Sequence, residues 1–284
     1  MTTSEATGTA NGWRRFWNRG GWWRAFALAL AYMVVYQLFS LLDGARFGGL
    51  VDPDDLFADP QSVFFGLGLP VLLGGLVALL FVWTVGWTRE IFGRQPVTGS
   101  WWMWIVVALV VIPIVLRAVA TDYAAYAPGV VPTMLLVGLF IGFAEELLTR
   151  GLAVNLLRRG GYGEKVVMVL SSLIFALLHS VNILTGQEPI AVLLTVVYTF
   201  GFGTMMYLVM RVTGSIVWAM LLHGATDPTT FLATGGVDAH GATTGDAALL
   251  GIAGVFNVVY LVVAIVAIFL VKGKVRADQV QSTA

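Results

Sequence analysis

Three short motifs carry the side chains whose types and spacing could do chemistry in an otherwise very apolar chain. Carboxylates and imidazoles can move protons or hold a metal ion, and an arginine can balance their charge. Ionisable side chains inside apolar helices are costly and usually functional, so the motifs predict one buried polar site. Its candidate members are Glu145, Glu146, Arg150, Phe175, His179, His223 and Asp227.

The first motif contains two adjacent acids followed by an arginine. Glu146 and Arg150 are four residues apart with the acid first, which is the favourable order for an ion pair on a helix. Glu145 points about 100° away around the helix, so it is free to face the site as a general base. The pair by itself could equally be a structural clamp.

The second and third motifs supply the imidazoles. Phe175 precedes His179 by one helical turn and is expected to form an apolar wall, while His223 and Asp227 share one helix face. Pro228 follows and should weaken the helix there, because it lacks a backbone donor. A lone buried histidine is more often a packing group, so only the joint presence of the motifs supports a catalytic site.

Composition places these motifs in a membrane. The chain has 284 residues, of which 58% are hydrophobic and 11% charged, whereas soluble domains carry roughly a quarter of charged residues. A soluble enzyme, a nucleic-acid reader and a disordered scaffold are therefore disfavoured, and the net charge of +0 gives no sign of a nucleic-acid partner. With no cysteine, any catalyst must use His, Asp, Glu or hydroxyl groups.

Apolar windows predict an all-α polytopic integral membrane protein of about eight transmembrane helices that enclose a polar cavity. At a rise of about 1.5 Å per residue, Glu145, His179, His223 and Asp227 lie roughly 12 to 21 Å from the span ends that face the cytosolic side. The four side chains are therefore expected in one layer near the middle of the membrane. The predicted spans are 23–42, 64–85, 101–120, 130–157, 165–184, 190–210, 215–232 and 247–271.

Charge asymmetry predicts the orientation. Residues 1–22 and 272–284 are expected to be cytosolic tails, the first disordered, around a single transmembrane domain at 23–271. Most basic residues then lie inside, and only Arg46 and Arg117 lie outside together with the acidic stretch 43–62. We expect a bacterial plasma membrane with both termini cytosolic, with an internal eukaryotic membrane as the alternative.

Other small and polar residues are expected to have structural roles or to be exposed to solvent. Gly138 and Gly142 suit close helix packing, but this spacing is too frequent in membrane helices to indicate function. His240 falls in a loop and is expected to be solvated, and Thr149 is expected to serve packing or capping.

The three motifs in order resemble the CPBP family of intramembrane proteases, named for CAAX proteases and bacteriocin-processing enzymes and also called Abi. The family pattern EExxxR, FxxxH and HxxxN or HxxxD matches within roughly 130–232, the expected protease core. The resemblance implies about eight spans around a cavity near the cytosolic half, where a peptide bond is hydrolysed. It implies that Glu145 and His179 activate water, while His223 and Asp227 stabilise the oxyanion.

Asp227 is a point of interest, because an amide at this position could donate to an oxyanion whereas an ionised acid would repel it. Either Asp227 is protonated, or it accepts from His223 and fixes the orientation of that ring. We favour the second role, which predicts that Asp227→Asn keeps substantial activity.

Metal dependence is open from sequence. His179 and His223 with Glu145 or Asp227 would make a catalytic zinc set, but no HExxH helix is present. We favour chemistry without a cofactor and keep zinc as the alternative.

Expected partners are the lipid bilayer and a membrane-anchored or prenylated peptide substrate. A proton- or ion-coupled transporter is the first alternative function, although no inverted repeat is evident. A catalytically inactive membrane adaptor or immunity protein is the second alternative.

Overall fold

A computed structural model describes residues 11–237 and 245–275 of the chain. Over these residues the protein is built of helices, and its sole β-type pairing is an isolated bridge between Thr121 and Gly245. The all-α fold class is therefore confirmed. The helices are α1 (Gly12–Asn18), α2 (Trp22–Phe47), α3 (Pro60–Val63), α4 (Leu69–Val85), α5 (Thr88–Phe92), α6 (Met103–Ala120), α7 (Val130–Glu146), α8 (Val154–Arg159), α9 (Glu164–Leu178), α10 (Pro189–Thr213), α11 (Ile216–Thr234) and α12 (Ala247–Leu270).

Four non-α segments continue these helices, and the first is a 3-10 helix at Gly48–Leu50 that follows α2 directly. A π-helical segment at Phe64–Gly68 joins α3 to α4, and a second at Leu147–Ala153 joins α7 to α8. A 3-10 helix at His179–Thr185 follows α9 directly. The predicted spans 64–85, 130–157 and 165–184 are therefore present as helical rods, but each contains a change of helix type.

Seven rods in the described part of the chain are long and apolar enough to cross a membrane. They are Trp22–Leu50, Pro60–Val85, Met103–Ala120, Val130–Arg159, Glu164–Leu184, Pro189–Thr213 and Ala247–Leu270. The eighth predicted span, 215–232, forms the 19-residue helix α11, which does not reach that apolar composition. The reason is its content of His223, Asp227 and several threonines, which face the protein interior instead of lipid.

The long helices alternate in direction, so their ends meet at two faces. At the basic face, Gly21 N–H donates to Leu156 O (2.7 Å), Gln95 N–H to Gly214 O (2.9 Å) and Glu164 N–H to Gly273 O (2.9 Å). At the opposite face, Asp246 N–H donates to Ala120 O (2.8 Å). The basic face carries Arg14, Arg15, Arg19, Arg89, Arg94, Arg158, Arg159, Lys165, Arg211, Lys272 and Lys274.

The expectation of a disordered tail over residues 1–22 is wrong for its second half. Residues 12–18 form α1, and Asn11 caps this helix by accepting from Arg14 N–H. Trp13 Nε1 donates to Thr84 Oγ1 (3.2 Å), and Trp87 Nε1 donates to Asn18 Oδ1 (2.8 Å). Indole donors and aromatic edges thus dock this segment on the basic face, which apolar periodicity could not reveal. His240 and residues 276–284 of the predicted tail lie outside the described residues.

Candidate active site

His223 is the centre of the site. It lies on α11 with 1% of its side chain exposed, and its Nδ1 is 2.7 Å from Glu146 Oε1 on α7. The carboxylate of Glu146 is an acceptor, so Nδ1–H donates to it. This bond fixes the rotation of the ring and leaves Nε2 for the other side of the site.

Two further carboxylates approach His223 Nε2. Asp227 Oδ2 lies 3.3 Å away and Glu145 Oε2 lies 3.6 Å away. Their side chains are 18% and 25% exposed, whereas Glu146 is fully buried. Two bare carboxylates and an imidazole lone pair would repel one another, so a proton on one of these groups would stabilise the arrangement. The geometry therefore suits proton transfer between an acid and a base.

Arg150 balances the buried Glu146. Arg150 Nη1 lies 3.2 Å from Glu146 Oε1 and donates to Thr149 Oγ1, while Nη2 donates to Gly203 O at 2.6 Å. The predicted pairing of Glu146 with Arg150 is thus observed, although it forms across the π-helical segment Leu147–Ala153 and not across a regular α-turn. Such segments often occur at functional sites. Thr149 joins this network, beyond the packing role expected of it.

Aromatic rings hold the imidazole in place. The ring centroids of Phe175 and Phe202 lie 5.6 and 4.9 Å from that of His223, both in edge-on geometry. Phe175 also lies under the Arg150 guanidinium, 4.7 Å from its centroid to Cζ. Phe175 therefore contacts both charged groups, which goes beyond the apolar wall expected of it. Phe202 was missed, because an aromatic residue in a long apolar run carries no distinguishing signal.

His179 occupies the end of α9. Its Nδ1 donates to Phe175 O at 3.1 Å, so Nε2 is the atom available to a ligand or a water molecule. The predicted continuous helix over 165–184 ends here, because the chain turns into the 3-10 helix. Within the described part of the chain, no ion pair joins His179 to Glu145. Any cooperation between them must pass through a molecule in the cavity.

Glycines allow α7 and α11, which carry residues of the site, to approach each other closely. A Cβ atom at Gly142 would lie 2.2 Å from Met220 O and 2.6 Å from Gly224 N, and one at Gly138 would lie 2.5 Å from Gly224 O. Helices α7 and α11 are therefore in backbone contact. Sequence reasoning gave Gly138 and Gly142 no functional weight, but this contact is what brings Glu146 within hydrogen-bond distance of His223.

A cavity of about 510 Å³ opens beside these groups, and Glu145, His179, His223 and Asp227 all line it. Its walls come from α10 at 194–202, α11 at 223–234 and α12 at 250–261, with Arg117 near the end of α6. All these segments lie in the half of the protein away from the basic face. The described ends of the chain, at residues 11 and 275, lie at the basic face, in the half opposite the cavity. A cavity in the cytosolic half and cytosolic tails next to these two ends are therefore incompatible expectations.

The zinc set that the sequence left as an alternative is not assembled in the present arrangement of the side chains. Across 11–237 and 245–275, no three His, Asp or Glu residues form a group that could hold a metal ion. The Nδ1 atoms of His179 and His223 bond to Phe175 O and Glu146, which leaves Nε2 of each ring for the cavity side. Metal-bound histidines commonly have such Nδ1 partners, so these two bonds do not oppose a metal.

A second buried charge cluster, which we call the basic-face cluster, joins α8, α9 and α10. Glu164, with 0% exposure, accepts two bonds from Arg158 (2.9 and 2.8 Å) and one each from Arg211 (3.0 Å) and Tyr207 (2.5 Å). Arg158 also donates to Gln95 Oε1 (2.7 Å).

The fold and the cavity define a class of protein: a polytopic all-α membrane protein with a carboxylate and imidazole site inside a cavity. Residues 127–229, about a third of the 284-residue chain, match the family model described as Type II CAAX prenyl endopeptidase Rce1-like. This match confirms the resemblance that the motifs predicted, and it includes every residue of the three motifs. No curated protein and no solved structure is significantly similar to the chain. At the level of the family, the chain is similar to CAAX proteases.

Proposed function

We propose that this protein is an intramembrane peptidase that hydrolyses a peptide bond of a membrane-associated substrate with water activated by Glu145. The observation that carries the proposal is the grouping of Glu145 and Asp227 around Nε2 of one buried imidazole in the wall of a cavity. The match of residues 127–229 supports the same reaction class. Glu145 is the most exposed of the three site carboxylates, so it is the one that a water molecule can reach.

The proposed reaction needs only the side chains of the site. Glu145 takes a proton from water as the oxygen attacks the carbonyl carbon, and the carbonyl oxygen becomes an oxyanion. His223 Nε2–H donates to that oxyanion. Glu145 then returns its proton to the leaving nitrogen as the C–N bond breaks, giving a carboxylic acid and an amine. His179 Nε2 would accept from the attacking water and orient it.

The role expected of Asp227 from sequence, orientation of the His223 ring, is shared by Glu146, which bonds to Nδ1 of that ring. Asp227 instead contacts Nε2, the same atom that is proposed to serve the oxyanion. We propose that Asp227 holds the Nε2 proton until the oxyanion forms.

The test compares cleavage of a prenylated CAAX peptide and of several membrane-anchored peptides by the purified full chain in lipid vesicles. Glu145→Gln removes the base while keeping the shape, so we expect kcat to fall by about 10²- to 10⁴-fold. Glu188→Gln, an exposed acid at the start of α10, is the matched control and should leave cleavage unchanged. Cleavage that survives in Glu145→Gln would contradict the mechanism. Proton flux into the vesicles without cleavage would favour a transporter.

We further propose that substrates reach the cavity from the non-cytosolic side. Many basic residues lie at the basic face, and positive residues favour the cytosolic side of a membrane. The cavity walls belong to the other half of the protein. This route differs from the cytosolic cavity that the family resemblance implied.

The absence of cysteine makes this orientation simple to test. Val237→Cys, at the cavity wall, and Arg94→Cys, at the basic face, each supply one thiol for a membrane-impermeant maleimide applied to intact cells. We expect labelling at position 237 and protection at position 94 until the cells are opened. The reverse pattern would place the cavity on the cytosolic side.

A further inference from the structure

Arg24 is a buried cation near the basic face that the proposed reaction does not use. It lies in the first turn of α2, is 9% exposed and has its Nε buried without a hydrogen-bond partner. Three other buried arginines, Arg150, Arg158 and Arg211, each have a carboxylate oxygen within 3.2 Å. In the described part of the chain, no carboxylate lies within ion-pair distance of Arg24. An unpaired buried cation is costly, so an anion from outside the protein would stabilise it.

Two aromatic rings flank the guanidinium of Arg24. Its Cζ lies 4.7 Å from the ring centroid of Phe16 and 4.3 Å from that of Trp23. The two rings meet edge to face at 5.7 Å and are 38% and 45% exposed. Aromatic faces attract a guanidinium, so these contacts hold its position while leaving the rings open to the surroundings. We call Phe16, Trp23 and Arg24 the α1–α2 site.

The turn between α1 and α2 makes this site rigid. Arg24 Nη1 donates to Gly20 O at 2.6 Å, and Gly21 N–H donates to Leu156 O at 2.7 Å. Gly20 has a φ of 59°, and a Cβ atom there would lie 2.4 Å from Leu156 O. The turn is therefore in backbone contact with the end of α8. This contact keeps Phe16 of α1 beside Arg24 of α2 before any ligand binds.

The surroundings of the α1–α2 site are positively charged and aromatic. Arg14, Arg15 and Arg19 are exposed on the same segment, and none forms an ion pair with a described carboxylate. Trp22 is 55% exposed. Tryptophan favours the membrane–water interface, and arginine clusters next to a membrane helix attract anionic headgroups. The site therefore faces the layer in which lipid phosphates lie.

We propose that the α1–α2 site binds the phosphate of an anionic phospholipid, with Arg24 as the main donor and the two rings against the lipid backbone. The guanidinium is suited to phosphate oxygens, and among the described residues its one hydrogen bond is that from Nη1 to Gly20 O. A soluble anion would gain the charge contact but not the contact with Phe16 and Trp23. The inference is independent of the proposed function, because it involves no residue of the three motifs.

The experiment measures displacement of a spin-labelled phosphatidylglycerol from the purified full chain in neutral detergent. We expect the wild type to bind phosphatidylglycerol about 10-fold more tightly than phosphatidylcholine. Arg24→Gln should lose this preference and leave the affinity for phosphatidylcholine unchanged. Arg24→Lys keeps the charge without the planar group and should retain part of the preference. Arg46→Gln is the matched control, since Arg46 lies on the same helix beside the ring of Phe47.

A further variant separates a defined site from diffuse charge. Arg15→Gln combined with Arg19→Gln removes two exposed cations from the same segment. We expect this double variant to keep most of the lipid preference. A loss as large as that of Arg24→Gln would assign the preference to the charge of the whole segment and overturn the inference. Competition by inorganic phosphate as strong as that by the lipid would overturn it too, because the ligand would then be a soluble anion.

A measurement on the wild type alone keeps the inference testable even if Arg24→Gln does not fold. Phosphatidylglycerol with a photoreactive diazirine in its headgroup is bound to the wild type, irradiated and mapped by mass spectrometry. We expect crosslinks at Phe16 and at 22–24, and competition by unlabelled phosphatidylglycerol. Crosslinks confined to other parts of the chain, or an equal affinity of the wild type for the two lipids, would reject the site.

Discussion

Two buried charge clusters can be compared within this protein: the site cluster of Glu145, Glu146, Arg150, His223 and Asp227, and the basic-face cluster around Glu164. In the second, both carboxylate oxygens of Glu164 accept bonds from arginine. In the first, Glu146 Oε2 is buried without a partner, and Glu145 is 25% exposed towards the cavity. Both clusters bury charge, yet only the site cluster combines unmet bonding capacity with space for a ligand.

The difference between the two clusters shows that buried charge alone does not identify an active site. The basic-face cluster connects three helices through a carboxylate whose two oxygens are both bonded to arginine, which suits a structural clamp. The site cluster leaves Glu145, Asp227 and His179 facing a cavity, so their remaining hydrogen bonds can be made to substrate and water. Four variants or treatments test this difference between the site cluster and the basic-face cluster.

Glu164→Gln should have the largest effect, and it should be on stability. The change leaves Arg158 and Arg211 buried without their acid, which typically costs about 3 to 5 kcal/mol. We expect the free energy of unfolding in detergent to fall by that amount while kcat per folded molecule is retained. Lys165→Gln, an exposed neighbour, is the control and should unfold like the wild type. If Glu164→Gln loses kcat but keeps its stability, the two clusters have been assigned the wrong roles.

Gly142→Ala should act on the site cluster through its geometry. The new methyl group would meet Met220 O at 2.2 Å, so α7 and α11 must separate. A misplacement of about 1 Å can cost about 10²-fold in rate, and we expect a loss of that order in kcat. Gly251→Ala has open space around it and serves as the control. Equal activity of both variants would show that the backbone contact does not set the geometry of the site.

Asp227→Asn should have a smaller effect. An amide keeps a polar contact with His223 Nε2 and removes a negative charge near the proposed oxyanion, so we expect kcat within about tenfold of the wild type. Asp227→Leu removes the polar contact at similar volume and should lose more. Complete loss of kcat in a stably folded Asp227→Asn would show that the carboxylate itself takes part in proton transfer.

A zinc chelator should have the smallest effect. The proposed mechanism uses proton transfer by side chains alone, so we expect wild-type kcat/KM to be unchanged after exhaustive chelation and dialysis. Addition of zinc should give no increase. Loss of activity that zinc restores would support the metal-dependent alternative.

The sequence by itself determined the helical membrane fold, the approximate spans and the identity of the motifs. Hydropathy and helical spacing are local properties, so they predicted the pairing of Glu146 with Arg150 from their four-residue separation. The same locality explains the error over residues 12–18, whose helix is docked by distant partners such as Thr84.

The tertiary structure was needed to show which side chains from distant parts of the sequence come into contact. The bond from His223 to Glu146 links residues 77 positions apart and depends on glycines that let two helices touch. The π-helical segment and the edge contact of Phe202 likewise depend on how neighbouring helices are rotated and where they end. Helix rotation is set by packing across the whole bundle, and this is also why the structure located the cavity in the half opposite the basic face.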